Sequence, residues 1–219
     1  MERETRCHLV ASTVSSFLAA HPHIRIQAEW TAQLVAFLAD QASPLTDDVI
    51  QRELYQQFLH ADLRDVGEPA EMQPNSARGV AVAISGVLQV MDVLEIGESA
   101  LSLLSIIQDL RKSSSDPNGV DLNAAVRFPR KMLRFVLTDG TTEIIAFEYR
   151  PIRQLDIYLP LGLKINVKAA PIARGVMFLD PQNIDILGGQ IDGLNEDSLS
   201  LKTLRIEQRL RALLKCVFC

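Results

Sequence analysis

Four histidines, three cysteines and a scatter of carboxylates are the side chains here that could do chemistry, and their spacing limits what that chemistry can be. His8, His21, His23 and His60 all fall in the first part of the chain. A nucleophilic triad needs a histidine presented beside a serine or cysteine and a carboxylate, and nothing in the spacing points to one. Cys216 and Cys219 have metal-ligand spacing, but a structural zinc site takes four ligands. Cys7 and His8 could complete such a set only if the two chain ends met, and two reduced thiols at a terminus is the plainer reading. Asp139, Glu148, Asp180 and Asp185 lie near expected strand ends, where turn and rim placement accounts for them without catalysis. No glycine-rich phosphate loop of the P-loop or dinucleotide type is present. The expectation is a chain that is not an enzyme, with no catalytic residue, no cofactor and no metal.

Composition narrows the class further. At 219 residues and 47% hydrophobic content the chain can bury a proper core in one or two domains. No apolar run reaches the ~18 residues needed to span a bilayer, and the opening MERETRCHLV lacks a signal-peptide core. An intracellular, reducing setting without membrane insertion is the expectation, since three cysteines are too few and too terminal for a disulfide framework. A net charge of −5 and a pI near 5.4 give no overall pull on nucleic acid.

The stretch from Lys131 to Gly189 reads as a small antiparallel barrel, with short apolar runs separated by turn residues. Met132 to Leu137 and Thr142 to Tyr149 form a hairpin around Asp139-Gly140. Pro151 closes it, and Arg153 to Tyr158 is a short helical or irregular crossover. Leu163 to Ala169 and Gly175 to Leu179 read as a second hairpin joined through Ala170 to Arg174, and Ile184 to Leu187 as a last short run. An earlier run, Arg78 to Val93, supplies the first strand, with Gly86 marking a bend or bulge. The barrel is of the five-stranded OB type.

Three amphipathic helices precede it. Glu4 to Ala20 carries Leu9, Val10, Phe17 and Leu18; Ala28 to Gln41 places Trp30, Leu34, Phe37 and Leu38 on one face, with Trp30 read as core. A third starts after Pro44 with Thr46 as candidate N-cap and aligns Ile50, Leu54, Phe58 and Leu63. The fold class is therefore α+β: an N-terminal three-helix bundle (1–66) packed on a five-stranded OB-fold β-barrel (78–192), joined by a linker or strap (67–77) and followed by a C-terminal helix (193–219). Within that last segment, Ser198 to Leu214 sets Leu201, Leu204, Leu210 and Leu213 on one face. It either caps the barrel or offers an exposed partner-binding surface.

A long insertion, 94–130, separates barrel strands 1 and 2. It has about 37 residues where an ordinary hairpin loop has about 2 to 5. Ile96, Ala100, Leu103, Leu104, Ile107 and Leu110 make an apolar stripe, followed by the polar KSSSDPNG. The stripe either docks on another molecule or packs back on the chain. OB barrels often bind single strands through basic grooves and aromatic platforms. Phe135, Phe147, Tyr149, Tyr158 and Phe178 are candidates, though alternation places most of them toward the core. Lys131, Arg134, Arg150, Arg153, Lys164, Lys168 and Arg174 supply some positive charge. An autonomous single-stranded nucleic-acid-binding protein is thus the alternative to a protein-contact role.

The run LTDGTTEIIAFEYRPI, then LPLGLKI, then RGVMFLDPQNIDILGGQIDGL, with Trp30 and LYQQFLHADLRD upstream, resembles the N-terminal helical domain and OB-fold of the RecQ-mediated genome instability protein 1 (Rmi) family. The resemblance implies a non-catalytic nuclear subunit of a complex of RecQ-family helicase and topoisomerase III. It further implies a barrel that binds topoisomerase III and an insertion that modulates its gate, decatenation and the dissolution of double Holliday junctions. Contact with DNA would be weak or indirect. Ile96, Leu101, Leu104, Ile107 and Arg111 are the expected insertion contacts to the topoisomerase. Animal members continue into a second barrel that pairs with another small OB-fold subunit; this chain stops at Cys219, so that second partner is not expected.

Overall fold

A computed structural model describes residues 2–40, 46–68, 82–114, 129–195, 204, 206–208 and 211. The helical part begins with α1 (Glu2–Ala20), α2 (Ala28–Asp40), α3 (Asp47–His60) and the single turn α4 (Leu63–Val66). Val10, Val14 and Phe17 from α1 meet Leu34 and Leu38 from α2 and Ile50, Leu54 and Phe58 from α3. Those spacings place one stripe of each helix inward, and burial of that stripe holds the bundle together. Three of the apolar positions read from the sequence differ. Phe37 is mostly exposed because Leu34, Leu38 and Ala39 already fill the inward arc of α2, and Trp30 packs half-buried against the core's edge. Leu9 is likewise exposed on α1. Thr46 holds the N-cap position of α3 in extended backbone, without a side-chain capping bond. A side-chain capping bond does form at α4, where Asp62 accepts from Arg64 N.

The barrel strands are β1 (Val82–Glu95), β2 (Leu133–Thr138), β3 (Glu143–Glu148), β4 (Lys164–Ala173), β5 (Val176–Leu179) and β6 (Ile184–Gly188). They run β1-β2-β3-β5-β4, and β1 pairs again with β4, so five strands close into a barrel. Strands β3 and β5 pair parallel; the other pairings are antiparallel. This is the OB-fold, with β6 added to the edge of β4. The second hairpin is tighter than the sequence implied. Strand β4 continues through Pro171 to Ala173, and the turn is Arg174-Gly175 alone, both at positive φ. Pro171 is tolerated because it lies opposite Ala83, next to the bulge at Ile84–Gly86. Arg153 to Tyr158 forms irregular turns rather than a helix.

Strand β1 organises three cores. Ile84, Leu88 and Val90 point into the barrel, while Val87 between them joins the core of the helical bundle. A bulge between Val90 and Asp92 shifts the phase, so Val93 faces the barrel and Leu94 faces out. Leu94 packs with Ala100, Leu103, Ile107 and Ile206 in a separate small core.

The bundle is seated on the barrel through backbone contacts that only glycine allows. A Cβ on Gly140 would fall on the carbonyl of Leu63, and one on Gly189 on the carbonyl of Leu59. Buried Gln89 of β1 accepts from Leu63 N at 2.9 Å and donates to Asp62 Oδ1 at 3.0 Å. Buried Lys164 of β4 donates to the carbonyl of Ala61 at 2.5 Å and that of Gly162 at 3.1 Å. Among the described residues no helix is long and apolar enough to cross a membrane.

Candidate protein-docking site

The insertion leaves the barrel at Ile96 and returns at Met132, because Leu94 and Glu95 still belong to β1 and Glu95 pairs with Leu133. Two buried carboxylates fix its roots. Glu95 accepts from Gly97 N on the outgoing side, and from Lys131 N at 2.9 Å and Met132 N at 3.1 Å on the returning side. Ile96 N closes the same junction on Met132 O at 2.9 Å. Glu148, at the end of β3, pairs with the Arg130 guanidinium through both oxygens and accepts from Ile152 N and Leu133 N. Arg130 also donates to the carbonyls of Leu155 and Ile152. A carboxylate accepting several backbone N–H groups is a strong, directional clamp. The arm therefore starts from a fixed base.

Beyond the base, α5 (Ala100–Ser114) begins at Ser99, whose Oγ accepts from Ser102 N at 3.1 Å. Leu103 and Ile107 are fully buried against Leu94 and Ile206, so this part of the stripe packs on the chain itself. Of the five expected contact residues, Leu101 faces away with 65% of its surface exposed, Ile96 and Leu104 are half-buried at the margin, and Ile107 lies inside. The side chain of Arg111 lies outside the described residues, as does the tip from 115 to 128. The C-terminal segment supplies Ile206 to this small core, while Leu204, on the leucine face read from the sequence, is exposed. Leu201, Leu210 and Leu213 are not among the described residues.

The barrel wall beside the insertion root carries a feature that sequence alternation assigned to the wrong side. Of its aromatic residues, Phe135 fills the core, whereas Phe147 and Phe178 face outward and Tyr149 and Tyr158 are exposed. Register places Arg134, Phe147 and Phe178 in one outward row across β2, β3 and β5, and Val136, Ile145 and Val176 in the next. Met132 and Tyr149 continue this face toward the root, by the two-residue period of a strand. Tyr149 meets Phe178 edge-on at 6.3 Å. An outward sheet face with this much apolar surface, beside the root of the insertion, has the character of a docking surface. Lys164, counted among the barrel's positive charges, is buried under α3 and contributes none to this surface.

Among the described residues no group of three histidine, cysteine, aspartate or glutamate side chains could hold a metal ion. Cys7 is a half-buried free thiol; Cys216 and Cys219 lie outside the described residues.

The seated bundle, the closed barrel and the anchored arm define an OB-fold protein with an N-terminal helical domain. A family model described as "RMI1, N-terminal OB-fold domain" matches residues 64–201, and one described as "RMI1, N-terminal helical domain" matches 18–66. RecQ-mediated genome instability protein 1 of Mus musculus is 30% identical over 207 residues, covering 87% of this chain and 32% of its own length. The Xenopus laevis protein of the same name is 26% identical over 202 residues, covering 89% and 36%. The one from Schizosaccharomyces pombe is 28% identical over 203 residues, covering 80% and 86%. The chain thus spans about a third of the animal relatives and most of the fission-yeast one. The chain belongs to the RMI1 family.

Proposed function

We propose that this chain is a non-catalytic adaptor in the nuclear complex of RecQ-family helicase and topoisomerase III. The outward face of β2, β3 and β5 docks on the topoisomerase, and the insertion reaches its gate. The observation that carries this reading is the double anchorage of the insertion on Glu95, which joins both roots through backbone donors. An arm rooted in this way transmits force to the barrel. Binding the open gate more tightly than the closed one would hold it open during strand passage, and only such differential affinity can shift that equilibrium. Decatenation and the dissolution of double Holliday junctions would follow from that bias.

Replacing residues 98–129 by a short Gly-Ser turn, which keeps Arg130 on Glu148, tests it. The barrel is expected still to capture topoisomerase III in a pull-down, while stimulation of decatenation is lost or altered. Unchanged stimulation would remove the insertion from the mechanism.

One observation favours a second reading, single-strand binding by the barrel: the outward trio Phe147, Tyr149 and Phe178. Each base stacked on an aromatic ring contributes ~1 to 3 kcal/mol. Binding of a labelled oligonucleotide at several salt concentrations separates the two, because phosphate contacts give a steep negative slope.

A further inference from the structure

Helix α5 hangs from its anchored root by a short connection, Ile96 to Ser99. Lys131 pairs with Glu98 across that connection at 2.5 Å, but the lysine is mostly exposed and such a pair holds little. A helix pinned at one end has no fixed direction; a second contact must supply it. That contact lies one to two turns further along, where Ala100, Leu103 and Ile107 recur at three- and four-residue steps and so share one face of α5. The face closes on Leu94 from the outward side of β1 and on Ile206 from the C-terminal segment. This cluster is separate from the cores of the barrel and of the bundle. Leu103 and Ile107 are fully buried in it, and Ile206 is 1% exposed. The barrel gives the cluster Leu94, and Ile206 is the member that belongs to neither barrel nor insertion.

We propose that Ile206 is a positioning residue for the insertion: the C-terminal segment clips α5 against β1 and sets the direction in which the arm leaves the barrel. With the clip closed, α5 turns Leu101, Ser105 and Gln108 outward, on the side away from Leu103 and Ile107. Without it, Leu94 is left to cover two large aliphatic side chains, and apolar surface returns to water. At 15 residues α5 is also close to the ~12 to 15 residues below which a helix without tertiary packing is marginal in water. Loss of the clip therefore loosens the helix together with its direction. That the clipped arm is aimed at a topoisomerase gate rests on the function proposed for the insertion; the clip itself belongs to the free chain.

The test compares hydrogen exchange of the intact chain with that of Ile206→Asp and of the conservative Ile206→Val. In Ile206→Asp the amides of Leu103 to Gln108 are expected to exchange faster by roughly 20-fold or more, while those of β3 and β4 keep their rates. Ile206→Val leaves an apolar side chain in place and is expected to stay within about 5-fold of the natural chain. Unchanged exchange in α5 overturns the clip. Equal acceleration in β3 and β4 does so too, because Ile206 would then support the fold as a whole. Methyl NOE contacts from Ile206 to Leu94, Leu103 or Ile107 are expected in the unaltered chain; their absence overturns the clip without need of any variant. Decatenation then separates the clip from its use. Loss of stimulation in Ile206→Asp, with capture of topoisomerase III retained and Ile206→Val active, is the expected result. Unchanged stimulation beside accelerated α5 exchange would overturn the aim at the gate and leave the clip standing.

Discussion

Lys164 Nζ lies 2.9 Å from the carbonyl oxygen of Leu59, so a buried barrel lysine closes the C-terminal end of helix α3. The last carbonyls of a helix lack intrahelical donors, and a cation there also meets the negative end of the helix dipole. The ammonium also reaches the carbonyls of Ala61, the C-cap of α3, and of Gly162 just before β4, so one side chain ties the end of the helix to the barrel. Lys164→Met should therefore lower stability by about 2 to 3 kcal/mol at neutral pH, because three carbonyls lose this donor while the apolar volume is kept. Denaturant melts of the two proteins check this, and equal midpoints would show the contact to be energetically idle.

The same lysine carries a pH signature. Burial pulls its ammonium down to about 8 from the ordinary 10.5, with the Asp62 carboxylate pulling the other way. Below pH 8 folded and unfolded chains both hold the proton, and this group gives no slope. Between 8 and 10.5 the unfolded chain binds a proton that the folded chain has released, so this contribution to stability rises with pH. Its ceiling is about 3 kcal/mol. The stability difference between the natural chain and Lys164→Met should accordingly widen between pH 8 and 10; a constant difference would contradict the depressed ammonium.

Glu95 should matter for the arm far more than for the barrel. In Glu95→Gln one oxygen remains, but the new N–H₂ faces the amides of Lys131 and Met132 or of Gly97, donor against donor. Opening of the root should become easier by about 1 to 3 kcal/mol. Hydrogen exchange at Gly97, Lys131 and Met132 is expected to speed up by roughly 10- to 100-fold, with exchange in the β3 and β4 core unchanged. Uniform acceleration across the barrel would mean that Glu95 supports the fold as a whole.

How much of this could be seen in the sequence varies by element. The Asp139-Gly140 turn and the Gly86 bulge were legible because positive φ demands particular residues, and both lie where expected. Strand β4 runs past Ala169 although Pro171 follows, and the tolerance of that proline depends on a bulge in a different strand. The facing of β3 is hidden in its sequence for another reason. Both of its alternating sets are apolar, and the inward one holds small Ala146 and charged Glu148, which is buried because Arg130 neutralises it. Inside, Phe135 of β2 already fills the space opposite Ala146, and Phe147 points out. The fate of the insertion stripe depended on Ile206, about a hundred residues further on, and the seam of Gln89, Asp62 and Lys164 has no local pattern at all.

The outward face of the barrel separates the two functional readings by mutation. Ile145 sits at the centre of its row, between Val136 and Val176, and is partly exposed. Ile145→Asp places a charge where a protein partner would exclude water, but in the free chain it meets solvent, so its stability cost should stay near 1 kcal/mol or below. Capture of topoisomerase III should fall by at least 10-fold. Tyr149→Ala removes a ring that is 66% exposed and stacks edge-on with Phe178. If bases stack there, it should weaken oligonucleotide binding by ~1 to 3 kcal/mol at every salt concentration, leaving the salt slope intact. A docking face predicts that Ile145→Asp abolishes capture and that neither variant alters strand binding. A strand-binding face predicts the loss with Tyr149→Ala and capture untouched by either. Capture that survives Ile145→Asp, at unchanged stability, would move the docking surface off these three strands.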